Sequence, residues 1–187
     1  MNISVSIETF ANDDRRAGRF DRTSMLLHWL TAVLIASQLA TAWAMEMGGI
    51  NAPGWLIAHR SLGLLTWFVV VGRLLWRHRF AYLPPFPPSM PMFRQRLAKL
   101  NEYGLYALLL MQPLTGTAGT LLRGRSFILF VWRVPAIVPE NKTLFHAFDF
   151  LHASGAWALM SLIAIHAAAA LFHGLVLKDG ILRRMLP

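Results

Sequence analysis

Four apolar runs constrain this chain more than any other feature. They lie at about 26–47, 56–76, 103–122 and 152–177, and each is long enough to cross the ~30 Å hydrocarbon core of a bilayer as a helix. Backbone groups in lipid must satisfy one another, so an uninterrupted run of this length is read as a helix. The expected fold is therefore all-α: an integral membrane four-helix transmembrane bundle. Composition agrees, since 56% of the 187 residues are hydrophobic and only 14% charged, with a mean hydropathy of +0.46.

The formal charge of +9 suits a nucleic-acid binder, but the basic residues are scattered between apolar runs and form no reading motif. Nucleic acid is not an expected partner; membrane lipid is. The chain has no cysteine, which removes disulfides, thiolate metal sites, iron–sulfur clusters and thioether haem attachment. If iron is present, histidine holds it. Residues 1–22 are polar and include Asp13 and Asp14, so they read as a cytoplasmic tail rather than a secretory signal. Residues 23–187 read as the membrane domain, and the first apolar run stays as a span.

Orientation follows from Lys and Arg. With the N-terminus inside, the cytoplasmic side collects thirteen of them (Arg15 to Arg22, Arg73 to Lys99, and Lys178 to Arg184). The outer side has five: Arg60, Arg123, Arg125, Arg133 and Lys142. This satisfies the positive-inside rule and places both termini in the cytoplasm. The stretch "LPPFPPSMP" denies backbone donors and makes a stiff inner loop, and the basic "FRQRLAKLNE" reads as an interfacial lead into the third helix. The outer connection at 123–150 is expected to carry a short interfacial helix.

Ionisable side chains inside spans are costly and face a cavity, a partner or a cofactor. His28 starts the first span at the cytoplasmic side; His59 and His152 lie near the outer starts of the second and fourth; His166 lies deeper in the fourth. His152 and His166 are 14 residues apart, which is about 40° short of four turns and roughly 21 Å of rise. They share a face at two depths, so His59 pairs in level with His152 and His28 with His166. A neutral imidazole without partners costs several kcal/mol in hydrocarbon, and coordination to iron turns that cost into a use. Two bis-histidine haems, one above the other, account for all four.

The neighbours fit. Gly63 is one turn below His59, and Gly116 and Gly119 lie in the third span; small residues let a porphyrin or a helix approach. Arg73 is 14 residues past His59 and faces the inner level, where a haem propionate is its expected contact; Arg60 is the outer counterpart. Other readings stand beside these. Membrane histidines also serve as interhelical hydrogen bonders. His78 reads as an interfacial residue, and His146 as part of the outer loop or its lead-in helix. His173 lies about 20° from the face of His166 and is its rival as partner to His28. The spacing favours His166, because a 21-residue separation from His152 sets two irons roughly 31 Å apart. His173 then sits at the cytoplasmic edge, as a proton donor to quinone or a plain interfacial histidine.

The chain resembles the bacterial cytochrome b561 family of di-haem, four-helix membrane proteins, including its superoxide oxidase-like members. The likeness rests on "LLHWLTAVLIASQLATAWAM" in the first span, "HRSLGLLTWFVVVGRLLWR" in the second, the proline-rich loop, and "LHASGAWALMSLIAIHAAAALFHGLVLKDGILRRMLP" at the end. It covers about residues 20–187, and the last segment is its most specific part. The resemblance implies that the axial ligands are His28, His59, His152 and His166, and that the cofactor is haem b, two per chain. It also implies electron transfer from superoxide at the periplasmic face to ubiquinone in the membrane, or alternatively between quinone and a partner dehydrogenase.

Six-coordinate iron has no open position and favours outer-sphere electron transfer. The outer cations Arg60, Arg123, Arg125, Arg133 and Lys142 form a positive funnel that steers a small anion such as superoxide; the alternative is that they bind lipid headgroups or solvate a loop. Arg22 and His173 are the expected wall residues of a quinone site. Three functions follow: a superoxide:ubiquinone oxidoreductase, a cytochrome b subunit docked to a dehydrogenase or to a second copy of itself, and, from another class, a non-redox transporter with a histidine-lined path.

Overall fold

A computed structural model describes residues 18–48 and 50–186; the expected tail through Ala17, with Arg15 and Arg16, lies outside the described residues. Four long helices make up the body: α1 (Arg22–Glu46), α2 (Ala52–Arg79), α3 (Met92–Leu122) and α4 (Lys142–Leu171). All four, α4 taken on to Leu177, are long and apolar enough to span a membrane, with mean hydropathies of 1.3 to 1.9 over 18-residue windows. α1 packs along α2 and α3 along α4, and the two hairpins meet chiefly through α2 and α3. The start of α1 and the segment after α4 lie together at one end, here the terminal end; the α1–α2 and α3–α4 connections form the opposite, loop end.

Local chemistry sets the helix ends. Asp21 caps α1, accepting from the Ser24 N–H at 2.9 Å and the Ser24 hydroxyl at 2.7 Å, a device worth about 1 kcal/mol. The same carboxylate accepts from Trp76 Nε1 at 3.0 Å and the Tyr82 N–H at 3.3 Å, so one side chain ties the start of α1 to the end of α2. Arg77, His78 and Arg79 occupy the last turn of α2, where cations complement the helix dipole. Asn141 caps α4 through the Leu144 N–H at 3.0 Å.

Two helices run beyond their apolar runs. α3 begins at Met92 rather than near 103, and α4 at Lys142 rather than at 152. Hydropathy marks where lipid begins, whereas a helix continues through polar sequence until a proline or a cap stops it, here Pro91 and Asn141. α1 and α2 likewise start a few residues earlier than expected. The connection expected outside carries no separate interfacial helix among the described residues: it holds the start of α4 and a ribbon of β1 (Phe127–Leu129) and β2 (Trp132–Val134), with Ile128 opposite Arg133. Phe130 turns the ribbon with φ 54°, and its N–H donates to Ser61 Oγ of α2 at 2.7 Å. Gly124 closes the loop at φ +64°, where a Cβ would lie 2.5 Å from the Glu140 nitrogen.

The core is one layer in the middle of the bundle: Val70, Leu109 and Leu159 are buried, with Ile35, Leu105, Tyr106 and Ile163 packed around them. Leu159 is seven residues from His152 and seven from His166, so this layer separates the two histidine levels. Large apolar residues such as Val33, Phe68, Leu75 and Trp157 face outward, as a lipid-facing surface requires. At the terminal end α4 widens into a π-type turn, Phe172–Leu177. The tail then folds back: Met185 O accepts from Trp29 Nε1 at 2.8 Å, Arg184 O from the Phe20 N–H at 3.2 Å, and Leu186 O from Arg19.

Candidate functional site

The bundle brings four histidines together in two pairs. His59 of α2 and His152 of α4 face each other at the loop end with ring centroids 6.2 Å apart and planes at 89°. His28 of α1 and His166 of α4 do so toward the terminal end, at 6.1 Å and 56°. Imidazoles on opposite sides of one metal ion, at bond lengths of about 2.0–2.1 Å, have centroids about 6.3 Å apart, so both spacings admit a single metal centre.

The loop-end pair has a two-fold design. His59 Nδ1 lies 3.2 Å from the Gln38 carbonyl and 3.1 Å from Thr41 Oγ1, and that hydroxyl donates to the same carbonyl at 2.9 Å. His152 Nδ1 lies 3.0 Å from the Gln112 carbonyl and 3.1 Å from Thr115 Oγ1, whose hydroxyl donates to that carbonyl at 2.9 Å. Each hydroxyl proton is committed to the carbonyl, so both neighbours of Nδ1 are acceptors and Nδ1 carries the hydrogen. Nε2 keeps its lone pair, the form in which imidazole binds a metal. The glutamine side chains complete the clamp, Gln38 Nε2 donating to His59 O at 3.0 Å and Gln112 Nε2 to His152 O at 3.1 Å.

Glycine makes the approach feasible. A Cβ on Gly63 would lie 3.0 Å from Gln38 Nε2, one on Gly155 2.7 Å from Gln112 Oε1, and one on Gly116 3.0 Å from the His152 ring. Gly119 meets Phe148 at an ordinary 3.9 Å.

The terminal-end pair is held differently. Arg73 Nη2 is 3.0 Å from His28 Nδ1, and a guanidinium only donates, so His28 accepts there. Arg73 also stacks over Tyr106 at 5.3 Å, and no carboxylate lies within ion-pair distance of it among the described residues. The nearby Arg77 is paired with Glu102 at 2.6 Å. A narrow cleft lined by Phe20, Ser24, Arg73, Arg77, Tyr106 and Met185 opens at this end.

The other predicted residues are spread around these pairs. Arg22 opens α1. His173 sits in the π-type turn with Nδ1 2.5 Å from Asp179 Oδ2. Burial pushes the Asp179 carboxyl up, but hydrogen bonds from His173 and the Ile181 N–H outweigh it and hold the group below its usual range. At the loop end Arg60 is half-buried over Phe127 at 5.6 Å, with its Nε buried and unpartnered. Arg123 lies over Phe145 at 4.8 Å, and Arg123, Arg125, Arg133 and Lys142 are exposed. His146 stands in the first turns of α4 beside Phe145, and His78 in the last turn of α2.

Sequence reasoning missed Gln38, Thr41, Gln112, Thr115, Tyr106 and Asp179. The first four carry a signal: "QLAT" at 38–41 returns as "QPLT" at 112–115, at the same level of two helices that each face a histidine.

Four helices long and apolar enough to span a membrane, with paired imidazoles turned toward each other in the interior, define a multi-pass bundle with two candidate metal centres. Residues 19–187 match the prokaryotic cytochrome b561 family. Cytochrome b561 homolog 1 of Escherichia coli K12 is 33% identical over 175 residues, covering 90% of this chain and 97% of that protein. Cytochrome b561 homolog 2 of the same organism is 29% identical, covering 95% of each chain. The probable superoxide oxidase CybB of Yersinia pestis is 31% identical, covering 86% of this chain and 92% of that one. The chain belongs to the prokaryotic cytochrome b561 family and is a bacterial multi-pass membrane protein of electron transfer, a redox class whose cofactor is haem b. The residues fit that group: the loop-end pair offers two free Nε2 atoms and an unpartnered Arg60 Nε. At the terminal end, ligation by His28 Nε2 requires Arg73 to leave Nδ1 for another acceptor, and a propionate is one.

Proposed function

We propose that the protein carries two b haems, one between His59 and His152 and one between His28 and His166, and passes electrons from superoxide at the periplasmic face to ubiquinone in the membrane. The observation that carries this is the facing of the two imidazole pairs at 6.2 and 6.1 Å. Haem held by these two histidine pairs would supply a one-electron couple suited to outer-sphere transfer.

The protein's own residues do the rest. The positive-inside bias puts the loop end in the periplasm, where Arg60, Arg123, Arg125, Arg133 and Lys142 draw in a small anion. Two superoxide anions each give up one electron and leave as dioxygen; one quinone takes those two electrons and two protons. His173, oriented by Asp179, holds a proton at the terminal end beside the lipid-facing surface, and Arg22 lies at the same end for a quinone carbonyl. The CybB relative supports superoxide as donor.

The purified protein is tested alone. Reduction of its haems by superoxide, with quinone reduction that slows as salt rises and slows further in Arg123→Gln/Arg125→Gln, is the expected result. Haems that stay oxidised until a dehydrogenase is added overturn the superoxide reading and favour the docked cytochrome subunit.

A further inference from the structure

The repeated segments "QLAT" and "QPLT" do the same work on opposite sides of the loop-end pair. Thr41 and Thr115 are both buried, at 6% and 7% exposure, and each hydroxyl spends its proton on the glutamine carbonyl one turn back. The Nδ1–H of each facing imidazole is thereby shared between two acceptors. Nothing comparable exists at the other level: among the described residues no carbonyl or hydroxyl accepts from His28 Nδ1, whose neighbour is the Arg73 guanidinium, and no hydrogen bond to the His166 ring occurs.

An imidazole that donates Nδ1–H to an acceptor is the more basic ligand, and it stabilises the more positive, oxidised metal. A cation beside a centre does the opposite, favouring the state with one more electron. Both effects separate the two levels in the same sense.

We propose that Gln38/Thr41 and Gln112/Thr115 are a duplicated pair of positioning residues that fix His59 and His152 as Nδ1–H donors and make the loop-end centre the lower-potential one of the two. The proposal rests on the reading of these histidines as haem ligands. It makes electron flow from the loop end to the terminal end downhill within the protein. Gly63 and Gly155 belong to the same device, because each leaves the room its glutamine occupies.

The test is a redox titration of the full-length protein in detergent, followed at the haem α-bands. His59→Ala and His152→Ala first identify the loop-end component as the one both variants remove; if both bands survive in both variants, the ligand reading itself is wrong. That component is expected at the lower midpoint potential. Thr41→Val and Thr115→Val are expected to raise it, additively in the double variant, while the other component stays put, and Thr41→Ser and Thr115→Ser restore it. Where a valine variant instead loses haem from this site, retention is expected to fall about 10- to 100-fold and serine to recover it. A loop-end component at the higher potential, valine variants with unmoved midpoints, or haem loss that serine fails to recover overturns the proposal while leaving the ligand assignment intact.

Discussion

At the loop end, His59 and His152 each give an Nδ1–H to a helix carbonyl and a buried threonine, and both sides are built from one repeated motif. At the terminal end the same ring separation is reached with different surroundings: His28 faces the Arg73 guanidinium, and the polar group next to it is a cation stacked on Tyr106. Equal spacing thus coexists with opposite polarity around the rings. Distance between ligands sets whether a metal centre fits; what touches the distal ring nitrogens sets what that centre does. The loop end is complete as it stands, whereas the terminal end has a side chain that must turn away.

The largest expected effect breaks the comparison by removing one level at a time. His59→Ala and His152→Ala are each predicted to delete the same haem, and His28→Ala and His166→Ala the other, read by haem quantitation and by which α-band is lost. Deletion of the terminal-end haem by His173→Ala but not by His166→Ala contradicts the pairing.

Next in size is Arg73→Gln. Removing the cation beside His28 is predicted to lower the midpoint potential of the terminal-end component and leave the loop-end one unmoved, measured by the same titration. A shift confined to the loop end contradicts the assignment of Arg73.

A smaller effect sharpens the packing side. Gly155→Ala places a Cβ 2.7 Å from Gln112 Oε1, so the glutamine side chain must swing aside and give up its bond to His152 O, a loss of about 0.5–1.5 kcal/mol. It is expected to lower thermal stability in detergent and to loosen the loop-end haem. Gly72→Ala is the control: nothing lies within 4 Å of its Cβ, so the helix gains about 0.5–1 kcal/mol.

The smallest concerns the terminal-end clasp. Asp179 titrates below its usual range, since its hydrogen bonds outweigh burial. A depressed folded-state value means that its stabilisation is complete above the ordinary carboxylate range and is lost as pH falls through the lowered value. Protease cleavage after Arg183 or Arg184 is therefore expected to rise only in that acid range, and Asp179→Asn to remove the dependence.

How much of this was legible in the sequence differs between the same two regions. The four spans followed from hydropathy, and the shared face of His152 and His166 followed from a 14-residue spacing, because helix arithmetic carries over into any bundle. Helix ends did not follow, since α3 and α4 continue through polar sequence that hydropathy reads as loop. The ribbon was hidden because Phe130-Val131 lacks the glycine or asparagine that marks such a turn; Ser61, 69 residues away, holds it. Gln38 and Thr41 look like ordinary interfacial residues until their repeat at 112–115 is set beside the histidines they face. Arg73 lies beside His28, a contact that depends on a rotamer that spacing does not encode.

The most direct measurement is haem content per chain in the purified wild-type protein, taken together with its low-temperature reduced spectrum. Two b haems per polypeptide are expected, both low-spin with two imidazole ligands, with split α-bands. One haem per chain, or a colourless preparation, contradicts this.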